Sequence, residues 1–303
     1  MHSMSEPCQI CGSSSTRLWL QRGEWAYYEC TNCSCVALAP LPDGAWASGF
    51  YDAGYFAGGG RGGYQNYLAD EVQHRSNARA RIEIAQRFNA NPPAGWLDVG
   101  CAVGYTLDEA RKAGYSTLGV ELSEWASAEA RERFGLSVVP TLTEARTGRV
   151  GDLGVVSFFQ VLEHLIDPVA DLCHARACLG PSGLVLIETW DRSSAVARFL
   201  GRHWQQITPP SVVWLFDRNS LSYVLERAGL RVVAVEHSSK EISVAWALGL
   251  LSDKLPAFFG PLLTWLGGSA VGRLAFKYGL GDLITVVAAA RDQGSGHPPR
   301  QVA

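Results

Sequence analysis

Short apolar runs alternate with longer segments of mixed polarity along most of the chain. Such alternation is typical of a parallel β-sheet with helical crossovers, because strands that are buried on both faces need continuous apolar runs. The predicted strands are Trp96–Val99, Thr117–Glu121, Ser137–Val139, Val155–Phe159, Leu184–Glu188, Val232–Glu236 and Leu283–Ala288.

Helices are predicted between these strands, and capping residues mark two of them. Ser123 precedes a helical pattern that ends before Gly135, and Asn219 precedes a second pattern at 220–228. Ser and Asn side chains accept hydrogen bonds from the free N–H groups of a first helical turn, and glycine favours the position after the last turn. A further helix is predicted from about residue 68 to residue 88.

Two CxxC pairs lie near the N-terminus, separated by 18 residues. This spacing predicts a four-cysteine zinc site, because each CxxC loop directs two sulfurs at one point. Short strands predicted at 18–20 and 25–28 complete the pattern of a zinc ribbon. Four thiolates leave no open position, so the Zn²⁺ is expected to stabilise the module rather than to act in catalysis. The predicted ligands are Cys8, Cys11, Cys30 and Cys33, and Cys35 is left over.

Stretches rich in proline and glycine divide the rest of the chain into segments. We predict a ribbon at 1–40, an aromatic arm with a lid helix at 41–94, a sheet domain at 95–292 and a disordered tail at 293–303. An aromatic arm in this place either folds over a ligand as a lid or forms an ordinary surface loop.

An apolar insertion at 242–280 precedes the last predicted strand. Asp253, Lys254 and two prolines break its apolar runs, so none is long enough to span a bilayer. Three roles stay open: a helical cap over a hydrophobic substrate pocket, a homodimer interface, and attachment to a membrane surface.

Composition narrows the class of partner. A formal net charge of −3 over 303 residues gives no broad basic field, so a small molecule is expected as the partner and nucleic acid is not. The N-terminal residues lack the basic and apolar regions of a secretory signal, which predicts a cytoplasmic protein. In that reducing compartment, cysteines are expected to bind metal rather than to form disulfides.

A glycine loop follows the first strand of the predicted sheet. Asp98 ends the strand, Gly100 and Gly104 let the backbone approach a ligand, and Glu121 ends the next strand where it can accept hydrogen bonds from ribose hydroxyls. This pair of features indicates an adenosine-type ligand. Ala102 replaces the middle glycine of a dinucleotide fingerprint, and an acid before the loop opposes a pyrophosphate. Electrostatics therefore favours S-adenosylmethionine.

Three motifs carry a family resemblance. Residues 97–104, 119–123 and 160–168 resemble successive motifs of class I S-adenosylmethionine-dependent methyltransferases, and 160–168 resembles the signature of a subgroup with ubiquinone-type, natural-product and sugar methyltransferases. The resemblance covers roughly residues 49–291. It implies an α/β fold: a Rossmann-like seven-stranded methyltransferase sheet with its final strand antiparallel, a small N-terminal zinc ribbon and a helical apolar insertion before the last strand.

The resemblance also implies roles for individual residues. The glycine loop would hold the methionine part of the cofactor, Glu121 the ribose and Leu122 the adenine, while Gln160 would lie near the sulfonium. Tyr64 of the aromatic arm is added as a residue of the lid. The predicted cofactor-binding residues are Asp98, Gly100, Cys101, Gly104, Glu121, Leu122, Gln160 and Tyr64.

Methyl transfer is an in-line displacement, so alignment of the nucleophile is the main task and a base is optional. His203 is the preferred candidate for a base, with His164 as the second, and Glu163 is expected to shape the site. One departure from the family pattern is Val212, which stands where the family has a histidine.

Three functions remain after these steps. The first is methylation of a small or lipophilic metabolite, such as a natural product, lipid or sugar, at O, C or N in bacterial biosynthesis. The second is an S-adenosylmethionine-binding protein of the same fold with non-methylating chemistry such as cyclisation. The third is a tailoring module that its ribbon directs to a carrier protein.

Overall fold

The structure, a computed structural model, describes residues 7–57, 64, 66–147, 152–252, 260–269, 271–272 and 274–291. The predicted tail and the middle of the apolar insertion lie outside the described residues. The strands are β1 Thr16–Arg22, β2 Trp25–Cys30, β3 Val36–Ala39, β4 Gly95–Val99, β5 Ser116–Val120, β6 Val138–Val139, β7 Leu153–Phe159, β8 Leu179–Trp190, β9 Trp214–Leu215, β10 Leu230–His237, β11 Lys240–Ser243, β12 Ala275–Tyr278 and β13 Leu283–Ala290. The helices are α1 Gly44–Phe50, α2 Ala53–Ala57, α3 Glu71–Arg87, α4 Tyr105–Lys112, α5 Glu124–Phe134, α6 Leu142–Arg146, α7 Pro168–Cys178, α8 Ala195–Leu200, α9 Arg218–Arg227, α10 Val244–Ser252 and α11 Gly260–Gly268.

A seven-stranded sheet forms the centre of the molecule, in the order β10-β13-β8-β7-β4-β5-β6. β4 pairs in parallel with β5 and β7, whereas β13 is antiparallel to both of its neighbours. After β4, the chain adds β5 and β6 on one side of this strand, and it later adds β7 and β8 on the other side. The crevice at the carboxyl end of β4 is the position where open α/β sheets bind ligands. The predicted fold and all seven predicted strands are confirmed.

The central strands are buried because helices cover both faces. Trp96 and Leu97, which are neighbours on β4 and point to opposite faces, are both fully buried. One apolar cluster contains Leu97, Val156 and Ile187, and a second cluster contains Trp96. The strand ends are thereby fixed by packing on two sides, which gives a rigid frame for the residues that follow them.

Two helix caps were predicted from sequence, and one of them is wrong. Ser123 accepts a hydrogen bond from the backbone N–H of Ala126, and Gly135 ends that helix in the left-handed conformation, as predicted. Asn219, however, is not an N-cap. Asp217 caps α9 by accepting from the N–H of Ser220, because an Asp–Ser pair at this spacing forms a reciprocal capping box.

The N-terminal module shares a sheet with the rest of the chain. Its sheet has the order β1-β2-β3-β9, and β9 belongs to the segment that follows β8. The backbone N–H of Leu38 donates to the carbonyl of Val213 at 2.8 Å, and the Tyr27 hydroxyl donates to the carbonyl of Val212 at 2.6 Å. The Arg192 guanidinium donates to the carbonyl of Ser34 at 2.8 Å. The predicted domain boundary at residue 40 therefore separates strands that belong to one hydrogen-bonded sheet.

The apolar insertion contains the predicted helices and also a pair of strands. β11 and β12 form a two-stranded antiparallel sheet that brackets α10 and α11. The Asn77 side chain on α3 donates to the Glu241 carbonyl at 2.9 Å and accepts from its N–H at 2.7 Å, so β11 is fastened to α3. In the described parts of the chain, no helix is long and apolar enough to cross a membrane.

Candidate active site and metal centre

The glycine loop turns sharply between β4 and α4. Gly100 and Gly104 have φ angles of 70° and 84°, which glycine adopts without steric cost. A Cβ atom on Gly100 would lie 2.5 Å from Cγ2 of Val161, and one on Gly104 would lie 2.4 Å from Cδ1 of Leu136. Both positions therefore need glycine for its conformation and for its size.

Asp98 is a buried acid at the end of β4. It is 3% exposed and accepts a hydrogen bond from Oγ of Ser157 at 2.6 Å. Ser157 in turn accepts from Nε1 of Trp96 at 2.9 Å, so its proton is directed at the carboxylate. Burial raises the pKa of Asp98 to about 7, while the Ser157 hydrogen bond and Arg81 act in the opposite direction. A cation at this position would favour the ionised form.

Glu121 ties the glycine loop to the end of β5. Its two carboxylate oxygens accept from the backbone N–H groups of Ala102 and Ser123, each at 2.8 Å. Ala102 has a φ angle of 49°, an uncommon conformation for alanine that the Glu121 hydrogen bond helps to hold. Burial raises the pKa of Glu121. The carboxylate thus shapes the loop at the place where the sequence predicts a ribose.

Gln160 belongs to a buried polar network at the ends of β7 and β8. Its Nε2 donates to Glu188 at 2.9 Å, and its Oε1 accepts from Nζ of Lys240 at 3.1 Å. Glu188 also forms an ion pair with Arg81 of α3. The nearby Arg81 guanidinium lowers the pKa of Glu188 against the effect of burial, which alone would raise it. Three elements that are far apart in sequence therefore meet beside Gln160.

Glu163 and His164 lie together behind this network. Glu163 is 3% exposed and accepts from the Thr189 hydroxyl at 2.9 Å, but its Oε1 has no hydrogen-bond partner among the described residues. Burial raises the pKa of Glu163. Nδ1 of His164 donates to the carbonyl of Ser211 at 2.6 Å, because a carbonyl can only accept. In the neutral ring, this bond leaves Nε2 of His164 as the acceptor nitrogen.

The aromatic arm covers this part of the site. Ring centroids are 4.9 Å apart for Tyr51 and Tyr55, 5.9 Å for Tyr55 and Tyr64, and 4.7 Å for Tyr64 and Tyr67. Tyr51 also contacts the ring of His164 at 6.3 Å. The hydroxyl of Tyr51 is buried without a hydrogen-bond partner among the described residues. Burial raises the pKa of Tyr64 to about 12, so this predicted lid residue is uncharged at neutral pH.

Three predicted site residues have different surroundings. Cys101 points its sulfur toward Gly119 and into the buried core. Leu122 is 45% exposed at the end of β5, where it is open to a ligand. His203 lies on the surface in a short 3₁₀ turn and accepts a hydrogen bond from Arg202. The structure encloses Glu163 with His164 and leaves His203 apart, so the role of His203 as a base stays a prediction.

The four predicted zinc ligands come together in the N-terminal module. The sulfurs of Cys8, Cys11, Cys30 and Cys33 all lie within 4.8 Å of one another. The Cys8–Cys33 and Cys11–Cys30 sulfur pairs are 3.6 and 3.5 Å apart. Tetrahedral zinc with Zn–S bonds of about 2.3 Å needs sulfur–sulfur distances of roughly 3.8 Å. The cluster therefore fits a zinc ribbon.

Replacement of Cys35 tests the ligand set. Cys35 is 1% exposed and its sulfur lies 3.9 Å from the carbonyl of Ser220, outside the group of four. We expect C35A to keep one zinc ion per chain in elemental analysis, because its thiol packs against the sheet domain. Zinc loss in C35A would contradict the assignment of the other four cysteines.

Comparison with known proteins agrees with this geometry. The profile of a family described as "Methyltransferase domain" matches residues 68–235, which is more than half of the chain. The chain belongs to this family. The glycine loop, Glu121 and Gln160 all lie within the matched methyltransferase domain, so the predicted enzyme family is confirmed.

Curated relatives of the methyltransferase domain are ubiquinone biosynthesis O-methyltransferases. The protein from Methylococcus capsulatus is 32% identical over 119 residues, which is 37% of this chain and 50% of the relative. The protein from Rhodopseudomonas palustris is 26% identical over 176 residues, which is 50% of this chain and 69% of the relative. The chain spans about half the length of the first relatives it matches.

Solved structures share the fold. A S-adenosylmethionine-dependent methyltransferase from Archaeoglobus fulgidus has a TM-score of 0.50 at 18% identity and covers 73% of this chain and 98% of its own. The protein BH2331 of Bacillus halodurans has a TM-score of 0.52 at 14% identity, with coverages of 72% and 100%. At these identities the likeness concerns the fold alone.

Sequence reasoning missed Arg81, Glu188 and Lys240. Glu188 had a usable signal, since it is an acid at the end of a predicted strand, as Asp98 is. Arg81 lies in a helix with several arginines and nothing in the sequence distinguishes it. Lys240 lies at the edge of the apolar insertion. It reaches the site only because the Asn77 side chain of α3 is hydrogen-bonded to the backbone of β11.

Proposed function

We propose that this protein transfers a methyl group from S-adenosylmethionine to a small-molecule acceptor. The observation that carries the proposal is the joint geometry of the glycine loop, Asp98 and Glu121 at the carboxyl end of β4 in a chain of the methyltransferase family. Buried polar atoms without partners among the described residues, the Tyr51 hydroxyl and Glu163 Oε1, line the adjoining interior. Such atoms fit a site built to meet a ligand.

Each side of the cofactor has a candidate partner. Asp98 and the loop from Gly100 to Gly104 would hold the methionine part, Glu121 the ribose and Leu122 the adenine. When bound, the cofactor supplies an electrophilic methyl group on a sulfonium. Gln160, with its orientation fixed by Glu188, would then lie where the acceptor and the cofactor meet.

A lipophilic acceptor fits the surroundings of the site. The tyrosines of the aromatic arm lie on one side, and Ile242 and Trp246 of the insertion lie on another. We infer that the first part of the insertion caps the acceptor pocket. Leu262, Trp265 and Leu274 farther along the insertion are more than half exposed and would serve a homodimer contact. The named relatives act in ubiquinone biosynthesis, which supports a role in bacterial biosynthesis.

Binding and product analysis test the proposed function. Calorimetry should show that the protein binds S-adenosylhomocysteine. Incubation with S-adenosylmethionine and a panel of phenols, hydroxy lipids and sugars should release S-adenosylhomocysteine together with an acceptor heavier by one methyl group. Absence of cofactor binding would refute the proposal, and binding without turnover on any class of acceptor would favour the non-methylating alternative.

The affinity for S-adenosylmethionine should rise with pH and level off near pH 7. Burial raises the pKa of Asp98 to about 7, so the free protein holds a proton there at lower pH. The ammonium of the methionine part favours the carboxylate, so binding releases this proton. Below pH 7 the affinity should therefore rise up to about tenfold per pH unit. Calorimetric titrations between pH 5.5 and about 8 measure this slope.

Two variants isolate the Asp98 contribution. D98N should bind more weakly and lose most of the pH dependence, because an amide does not titrate. D171N is a matched control: burial also raises the pKa of Asp171, to about 6, but this residue lies on α7. It should keep the wild-type slope. An unchanged slope in D98N would show that another group titrates.

A further inference from the structure

Asp282 directly precedes β13 and is fully buried, with 0% of its surface exposed. Its Oδ2 accepts a hydrogen bond from Nε1 of Trp204 at 3.0 Å, and the Tyr278 hydroxyl lies 3.1 Å from each carboxylate oxygen. The Tyr278 hydroxyl also accepts from Nε2 of Gln205 at 2.8 Å. A buried carboxylate is unfavourable unless donors satisfy it, and hydrogen bonds to a carboxylate are stronger than those between neutral groups. Asp282 therefore fastens the Trp204 ring and the end of β12 to the start of β13.

Trp204 begins a segment at 204–213 that leads toward the candidate active site. Its backbone folds into tight turns: the N–H of Ile207 donates to the carbonyl of Trp204 at 3.2 Å, and the N–H of Val212 donates to the carbonyl of Thr208 at 3.1 Å. The side chains of Trp204, Ile207 and Val212 are buried in one apolar cluster. Close-packed side chains transmit a displacement to their neighbours, so the position of the Trp204 ring affects the whole segment.

The far end of this segment holds Glu163 and His164. The carbonyl of Ser211 accepts from Nδ1 of His164 at 2.6 Å, and the N–H of Val213 donates to the carbonyl of Glu163 at 2.8 Å. The Ser211 hydroxyl donates to the carbonyl of Thr208 at 2.8 Å, which closes the turn that presents the Ser211 carbonyl. The segment thus sets the backbone and the side chain of two predicted site residues.

The Ser211 carbonyl decides which nitrogen of His164 can act as a base. A neutral histidine in water favours the proton on Nε2, whereas a carbonyl at Nδ1 keeps the proton on Nδ1 and leaves Nε2 free to accept one. The ring of His164 contacts Tyr51 of the aromatic arm at a centroid distance of 6.3 Å, so it borders the interior that the arm covers. A base in this position needs the segment in its observed place.

We propose that Asp282 is a positioning residue: by binding the indole N–H of Trp204, it fixes the segment at 204–213 and thereby the tautomer and the orientation of His164. The inference rests on the proposed methyl transfer where it makes His164 a base. The tautomer itself is observable without any turnover.

Nitrogen NMR of the histidine side chains tests this proposal. Protein labelled with ¹⁵N-histidine is measured at about pH 9, where an ordinary imidazole is neutral. The His164 signals are assigned by their absence in H164Q. Wild-type His164 should carry its proton on Nδ1, opposite to free histidine. A wild-type ring with its proton on Nε2 would overturn the proposal.

Variants at both ends of the Asp282–Trp204 hydrogen bond assign the effect. W204F removes the indole N–H and keeps an aromatic ring, so the ratio of the Nδ1-protonated to the Nε2-protonated form of His164 should fall at least about tenfold. D282A should give the same result, and D282N, which keeps an oxygen that can accept from the indole, should restore the wild-type ratio. An unchanged ratio in W204F would contradict the proposal, and W204F decides the question if D282A does not fold.

W96F is the matched control. Trp96 is also a fully buried indole, and its Nε1 donates a hydrogen bond to Oγ of Ser157 at 2.9 Å. W96F should lose stability in thermal unfolding to a similar extent as W204F and keep the wild-type ratio for His164. A changed ratio in W96F would show that the ratio reports a general loosening of the fold, which would overturn the role assigned to Asp282.

Cofactor binding separates this inference from the proposed function. The S-adenosylhomocysteine affinity of W204F should stay within about twofold of wild type, because the glycine loop lies between β4 and β5, away from β13 in the sheet. On an acceptor that the wild-type protein methylates, kcat should fall at least about tenfold with an unchanged KM for S-adenosylmethionine. Intact S-adenosylhomocysteine binding with a wild-type ratio in W204F would refute the role of Asp282 and leave methyl transfer standing. Absence of S-adenosylhomocysteine binding in the wild-type protein would instead refute the proposed function.

Discussion

Substitution of Gly100 by alanine is expected to weaken S-adenosylhomocysteine binding on the order of 100-fold, about 2.7 kcal/mol. The residue has a φ angle of 70°, and its Cβ would lie 2.5 Å from Cγ2 of Val161. Strain at positive φ costs about 1–2 kcal/mol for a residue with a side chain. The clash has to be relieved by movement of the glycine loop or of the segment after β7, and both border the candidate cofactor site. Calorimetric titration measures the effect.

A second glycine distinguishes the effect of backbone strain from the effect of a position beside the candidate cofactor site. Gly135 also has a positive φ angle, 61°, but a Cβ there would meet nothing within 4 Å. G135A should lose a similar amount of stability in thermal unfolding and keep the wild-type affinity. If G100A bound as tightly as wild type, the glycine loop would not be the cofactor site, and the function proposed here would lose its main support.

Loss of a zinc ligand should disturb both the ribbon and the active site. We expect C33S to lose its zinc and to unfold at a temperature roughly 5–10 °C lower, for a loss on the order of 3 kcal/mol. The backbone N–H of Leu38 on β3 donates to the carbonyl of Val213, and the N–H of Val213 donates to the carbonyl of Glu163. The ribbon therefore supports the backbone of a predicted site residue, and methyl transfer should fall at least about tenfold.

Three measurements follow this effect: elemental analysis for zinc, thermal unfolding, and the rate of methyl transfer. C35A is the matched control, because its thiol is buried in the same module but lies outside the four-cysteine cluster. Treatment of the wild-type protein with a strong chelator should reproduce the C33S result. Zinc loss with unchanged stability and turnover would instead indicate that the ribbon is an independent module that does not support the active site.

The position of the ribbon relative to the methyltransferase domain was not predictable from sequence. The CxxC spacing is a local pattern, and it correctly indicated a four-cysteine cluster. The fourth strand of the ribbon sheet is only two residues long, Trp214–Leu215, and such a segment has no periodicity of its own. Val212, which departs from the family pattern, is buried there and its carbonyl accepts from Tyr27. That role becomes visible only when the two segments are paired.

The arrangement of the candidate cofactor site was predictable for a different reason. Asp98 lies near the end of β4 and pairs in register with Gly119, and Glu121 directly follows the neighbouring parallel strand β5. Strand order and spacing therefore bring the two carboxylates to one edge of the sheet without any knowledge of side-chain packing. The same reasoning applied to β8 would have found Glu188.

The amino-acid sequence by itself determined the alternating strands and helices, the glycine loop and the cysteine spacing, because each depends on residues close in the chain or on adjacent strands. Only the tertiary structure decided that Lys240 meets Gln160, that Arg81 pairs with Glu188, and that the ribbon sheet takes a strand from the methyltransferase domain. These contacts join segments far apart in sequence, and their stability depends on the pairing of charged and backbone groups that are buried together, which no local pattern records.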